Sequence, residues 1–120
     1  MSTDYSKMSD FEINLRVAEI VVDYECISRL PYNDMAVYWG DGANWHVFNP
    51  CKNPADAWPI ISDNRISIMY DQSTEKGNEA QWCLASSPCD QHIVDYILPS
   101  KILRAAMIVF LMMQDARNEK

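Results

Sequence analysis

Apolar residues recur with a helical period at the two ends of the chain and with a period of two through much of its middle. Ser9, followed three residues later by Glu12, has the spacing of a capping box, and "DFEINLRVAEIVVDY" continues it as a helix from Ser9 to about Tyr24. At about 100° per residue, Glu12, Arg16, Glu19 and Asp23 fall within about 60° of one another, while Phe11, Ile13, Val17, Ile20, Val21 and Val22 occupy the rest of the circumference. A narrow charged stripe therefore faces water, and the remainder predicts a helix embedded between other elements.

Two β-prone runs, "MAVYW" and "WHVFN", flank a loop with Gly40 and Gly42 and predict a hairpin or a wide connection between paired strands. "NPCKNPADAWPII" is punctuated by Pro50, Pro54 and Pro59; Asn53 caps one helical turn starting at Pro54 within an otherwise ordered loop. "RISIMYD", with Ile66 and Ile68 on one face, predicts a strand, "QSTEKGNEA" a polar turn and "QWCLASS" the partner strand. "PCDQHIVDYILPS" is ambiguous in period and compatible with another short helix. Ser100 is placed to N-cap a closing helix from Lys101 to about Ala116.

That closing helix contains "LRAAMIVFLMM". Leu103, Met107, Phe110 and Leu111 share one side, while Ala105, Ile108 and Met112 lie on the other, so it must be covered on more than one side, by the sheet and by the first helix. The run from Ile102 to Met113 holds twelve residues with Arg104 among them, short of the roughly 20 that a membrane span requires. The architecture expected is α+β: a two-layer sandwich with an antiparallel sheet of about four strands and the N- and C-terminal helices packed on one face. At 120 residues the chain has the size of one domain, placed at 9–116 between short tails at 1–8 and 117–120.

Charge narrows the function classes. Ten Lys and Arg stand against 17 Asp and Glu, a net charge of −7, so a binder of phosphate backbones would work against its own repulsion. The imbalance is concentrated between Asp10 and Pro50, where Asp10, Glu12, Glu19, Asp23, Glu25, Asp34 and Asp41 face only Arg16 and Arg29. The order of helix, strands and helix is shared with double-stranded RNA-binding domains, whose recognition needs basic contacts that this chain lacks. "MSTDYSKMSDFEINL" opens polar and acidic, without the basic and apolar segments of an export signal, and a cytoplasmic protein is expected.

Candidate chemistry is sparse. No phosphate-cradling glycine motif, H-E-x-x-H or G-x-S-x-G occurs, and no spacing pairs His46 or His92 with a nucleophile, so no enzyme activity, catalytic residue or cofactor is expected. Cys83, Cys89 and His92 in "CLASSPCDQH" form a weak metal motif, because structural zinc sites use closer pairs and Cys26 and Cys51 stand alone. All four cysteines are read as free thiols packed as small hydrophobes, and no metal is expected.

"FNPCKNPADAWPII", then "ISIMYD" with a Trp-containing strand, then "LRAAMIVFLMMQD" resemble a group of small proteins of tailed phages and enterobacterial prophages that includes the NinX-like proteins. The likeness runs from about Phe48 to Asp115. Pro54 stands where that group has Trp, Trp58 where it has Gly, and Ser100-Lys101-Ile102 replaces an Asn-Pro before Leu103. The resemblance carries no catalytic residues; it implies a phage or prophage accessory protein acting in bacterial cytoplasm.

Together, charge and resemblance lead to an expected function: inhibition of a host antiviral defence complex, anti-CRISPR or anti-restriction in type, by occluding a basic nucleic-acid site. The partner is a host protein or ribonucleoprotein, with no direct binding of nucleic acid or membrane. The candidate contact residues are Glu12, Glu19, Asp23, Glu25, Asp34, Tyr38 and Asp41, with Trp39 and Trp45 as further aromatic anchors. The alternative is a non-catalytic adaptor for another host or phage protein. A second candidate surface is the Pro-rich loop from Asn49 to Ile61, with Asp56 and Trp58 at its centre and a packing role for Trp58 and Ile60 as the competing reading.

Overall fold

The computed structural model describes residues 4–22, 27–28, 37–40, 45–77 and 80–118, without the side chains of residues 27, 28 and 45. Its elements are α1 (Asp10–Val21), β1 (Ile27–Ser28), β2 (Val37–Gly40), β3 (Trp45–Phe48), α2 (Pro54–Asp63), β4 (Ser67–Gln72), β5 (Gln81–Ser86), β6 (Ile93–Tyr96) and α3 (Ile102–Asn118). Short 3-10 turns occur at Tyr5–Lys7, Pro88–Asp90 and Pro99–Lys101.

The fold is α+β, with two three-stranded antiparallel sheets, β1-β2-β3 and β4-β5-β6, in place of the single sheet of about four strands. The cause lies between β3 and β4. Asn49 and Pro50 end the first ladder, and α2 then runs for ten residues where one helical turn was expected, which carries the chain away before β4 begins. Asn53 caps α2 as anticipated, its Oδ1 accepting from the Ala55 N–H at 3.0 Å. Pro59 sits inside the helix at an exposed position and has no N–H to donate to the carbonyl of Ala55, itself an exposed residue.

The second sheet contains a strand in the segment that was compatible with a short helix. Ile93–Tyr96 pairs with β5, Cys83 facing Tyr96 and Ser86 facing Ile93. The reversal is made by the turn Pro88–Asp90, where Cys89 and Asp90 have φ of 60° and 54°. β2 and β3 pair antiparallel as predicted, with Trp39 opposite His46 and their rings tilted at 5.5 Å; Gly40 belongs to β2, and Gly42 lies outside the described residues. In the "QSTEKGNEA" stretch the chain turns at residues 75–77, Gly77 with a φ of 83°, and Asn78 and Glu79 lie outside the described residues.

α1 starts at Ser9, whose Oγ accepts from the Glu12 N–H at 3.2 Å, and stops at Val22, two residues before the predicted end. It is less deeply embedded than its composition implied: Ile13, Val17 and Ala18 are buried against α3 and β2, but Ile20 is 46% and Val21 44% exposed. α3 is the opposite case. Ile102 and every residue from Arg104 to Leu111 are buried, because α1, α2 and the second sheet all pack on it. Ser100 belongs to the 3-10 turn leading into α3 rather than capping the helix itself. Among the described residues, no helix is long and apolar enough to cross a membrane.

Two buried polar hubs lock the elements together. Arg104 forms an ion pair with Asp10 at 2.7 Å, donates to the Tyr96 hydroxyl at 3.0 Å, and donates to the carbonyls of Tyr5, Ser6 and Met8. Residues 4–8, assigned from sequence to a tail, are thereby seated on the core, with Tyr5 buried and its hydroxyl donating to the Asp115 carboxylate. The second hub is Asn14, whose side chain donates to Asn49 Oδ1 at 2.8 Å and accepts from the Cys51 N–H at 3.1 Å. Asp56 completes it by accepting from the Asn49 N–H at 2.9 Å. The Asn-Pro-Cys stretch is thus positioned by hydrogen bonds to α1 and α2.

Candidate partner-binding surface

The predicted contact residues divide among one exposed helix face, strand β2 and segments outside the described residues. Glu12 and Glu19 lie on the exposed side of α1, two turns and about 10 Å apart along its axis. Arg16, between them, places its guanidinium over the Tyr5 ring, 5.9 Å from the centroid. Tyr38 is half-buried in β2. Asp23, Glu25, Asp34 and Asp41 lie outside the described residues, as does the Trp45 side chain. Trp39 is partly exposed beside His46.

The Pro-rich segment separates into a buried and an exposed side. Ile60 is buried in the core, as the packing reading required, while Trp58 is 59% exposed. Asp56, with its carboxylate engaged by Asn49, is a positioning group for the loop. The i, i+4, i+7 spacing of Pro54, Trp58 and Ile61 puts them on one face of α2, which forms a wall of an open groove of about 330 Å³. Ile68 and Tyr70 of β4 form another wall, and Pro99 with Leu103 at the start of α3 closes the end. Tyr70 is 60% exposed. An adjoining depression of about 360 Å³ shares Tyr70 and Pro99 and is otherwise polar, lined by Asp71, Gln72 and Gln81.

Sequence reasoning reached Trp58 but missed Tyr70 and Leu103. The signal was present: Ile66, Ile68 and Tyr70 alternate on one strand face, and the third lies past the end of the core. Leu103 was assigned to packing, which it does on one side while its other side lines the groove.

The thiols next to these surfaces are neutral. Cys83, opposite Tyr70 in the ladder, donates to the Leu98 carbonyl at 3.5 Å, and burial pushes its pKa up. Burial pushes that of Cys51 to about 12. Cys51 and Cys83 behave as the small hydrophobes expected, whereas Cys89 is exposed and Cys26 lies outside the described residues. Among the described residues, Cys83, Cys89 and His92 do not gather into a metal-binding group. The groove is therefore apolar and aromatic at one end and hydrogen-bonding at the other, which suits recognition of a polypeptide segment.

The chain matches the model of the family described as Bacteriophage P22, NinX, over residues 4–114. Comparisons with curated proteins and with solved structures gave no match.

Proposed function

The chain belongs to the NinX family of phage proteins, and from that membership we propose that it acts in the cytoplasm of an infected bacterium as a non-catalytic binder of a basic host protein. The target to which its charge is best suited is an antiviral defence complex of the anti-CRISPR or anti-restriction type. Such complexes hold nucleic acid in channels lined by Lys and Arg, and an acidic domain seated there blocks substrate by complementing the same charges.

The observation that supports this reading is the charge of −7, with Glu12 and Glu19 presented on the exposed face of α1. Arg104 adds nothing to the outer field, since it is buried against Asp10. The groove between α2, β4 and α3 favours a second reading, an adaptor that holds another host or phage protein through aromatic anchors.

Affinity capture from infected host lysate, followed by mass spectrometry, tests the proposal. A nuclease or nucleic-acid-guided complex should be recovered, in amounts that fall steeply as salt is raised. Replacing Glu12, Glu19 and Asp23 together by Lys should abolish capture while leaving the circular dichroism spectrum unchanged. Undiminished capture by that folded variant removes the α1 stripe from the mechanism, and recovery of a protein without a nucleic-acid channel favours the adaptor.

A further inference from the structure

The second sheet ends in an open edge along the groove. Ser73 and Ala80 face each other across the turn joining β4 to β5, and the Ser73 N–H donates to the Ala80 carbonyl at 2.7 Å. Antiparallel alternation then directs the backbone groups of Asp71, Met69 and Ser67 toward β5, and those of Gln72, Tyr70 and Ile68 outward. Gln72 agrees with this phase: its N–H donates to Asp71 Oδ1 at 2.8 Å rather than to β5. The N–H and C=O groups of Ile68 and Tyr70 have no partner among the described residues, since β4 is the edge of its sheet.

The outward-directed backbone belongs to the residues that line the groove. Ile68 and Tyr70 face its apolar part, opposite Trp58 and Leu103, and Gln72 faces its polar part. Asp71, exposed and on the opposite strand face, pairs with no cation among the described residues. A strand laid against β4 would meet two unsatisfied donors, an apolar trough under alternate side chains, and a carboxylate beside the intervening ones.

We propose that β4 accepts an extended segment of the partner protein as a fourth strand, with apolar and basic residues in alternation. The apolar side chains enter the groove between Trp58 and Tyr70, and a Lys or Arg on the other face pairs with Asp71. Charge selects this occupant over a second copy of the chain: a copy brings another −7 to the same edge, whereas a basic segment meets a carboxylate there. The proposal rests on the reading of the chain as a binder of a basic protein and adds how the partner is held.

The test uses the full chain, labelled with nitrogen-15, and a capped heptapeptide of sequence Lys-Val-Lys-Ile-Lys-Val-Lys. Titration should saturably shift the amide signals of Ile68, Tyr70 and Gln72. Two versions of the peptide, methylated on one or the other set of alternate backbone nitrogens, carry the same charge. Only one set can donate to β4, so one version should bind at least about tenfold more weakly than the other. Tyr70→Pro, which removes an outward donor at an edge position that tolerates proline, should weaken the unmodified peptide by a similar factor. Equal affinity of the two methylated versions would show charge attraction alone and overturn the proposal. So would a dimeric protein whose Ile68 and Tyr70 amides resist exchange without peptide, which would give the edge to a second copy. If Tyr70→Pro fails to fold, the methylated pair decides on the unaltered chain. Failure of the peptide leaves the host-capture experiment to judge the wider reading separately.

Discussion

Arg65 ends α2 in a backbone conformation that an L side chain adopts at a cost. Its φ is 56°, the Arg65 N–H donates to the Ser62 carbonyl, and the Ile66 N–H reaches back to the Ile61 carbonyl at 3.0 Å. This is the Schellman pattern, completed by the buried pair Ile61 and Ile66, with arginine where glycine is usual. Arg65→Gly should therefore stabilise the fold by about 1 kcal/mol, the left-handed penalty less the added chain entropy of glycine, and raise the melting midpoint by about 4 °C. Cys51 supplies a pH dependence. Its folded pKa, near 12, lies above the ordinary thiol value of 9.0, so the unfolded chain releases the proton first as pH rises. Its contribution is complete below about pH 9 and is lost progressively toward pH 12, at about 1.4 kcal/mol per pH unit. Urea unfolding at pH 8 and pH 10.5 should show a smaller alkaline loss in Cys51→Ala than in the parent chain, since Tyr and Lys titrations are common to both.

The elements depend on polar hubs that hydrophobic periodicity does not reveal. Arg104 was visible only as the polar exception in an apolar helix, yet it joins α1, α3, β6 and the turn Tyr5–Lys7. Burial alone would pull its pKa down; its hydrogen bonds with Tyr96 and Asp10 outweigh that and hold it above the ordinary range, so it stays charged. Arg104→Lys preserves the charge but not the planar fork, and should cost about 2 kcal/mol in a urea titration. Hydrogen exchange should rise first at residues 5–9, before the sheets open; uniform acceleration would show that the N-terminal turn is held by other contacts. The helices predicted at 9–24 and 101–116 and the four predicted strands were legible because period and capping agree there. α2 was shortened because Pro59 reads as a breaker, and β6 was missed because Ile93, Val94 and Tyr96 are too few to establish a period of two.

For the molecule as a whole, the α+β class was legible, but the division into two sheets was not, since pairing between β3 and β4 is decided by what α2 does in space. The groove was half legible, through Trp58. Its other wall comes from β4 and the start of α3, which only tertiary packing brings opposite α2. The last element in chain order is the one on which α1, α2 and the second sheet all pack. A nascent chain that has emerged only as far as Leu98 has the six described strands, α1 and α2, but lacks the helix on which both helices and the second sheet pack. The inner faces around Ile13, Ile61 and Ala85 stay open until α3 arrives, and closure joins residues as distant as Tyr5 and Asp115. Folding on the ribosome is thus deferred until α3 has emerged, and until then the apolar faces that it covers stay exposed to non-native contacts.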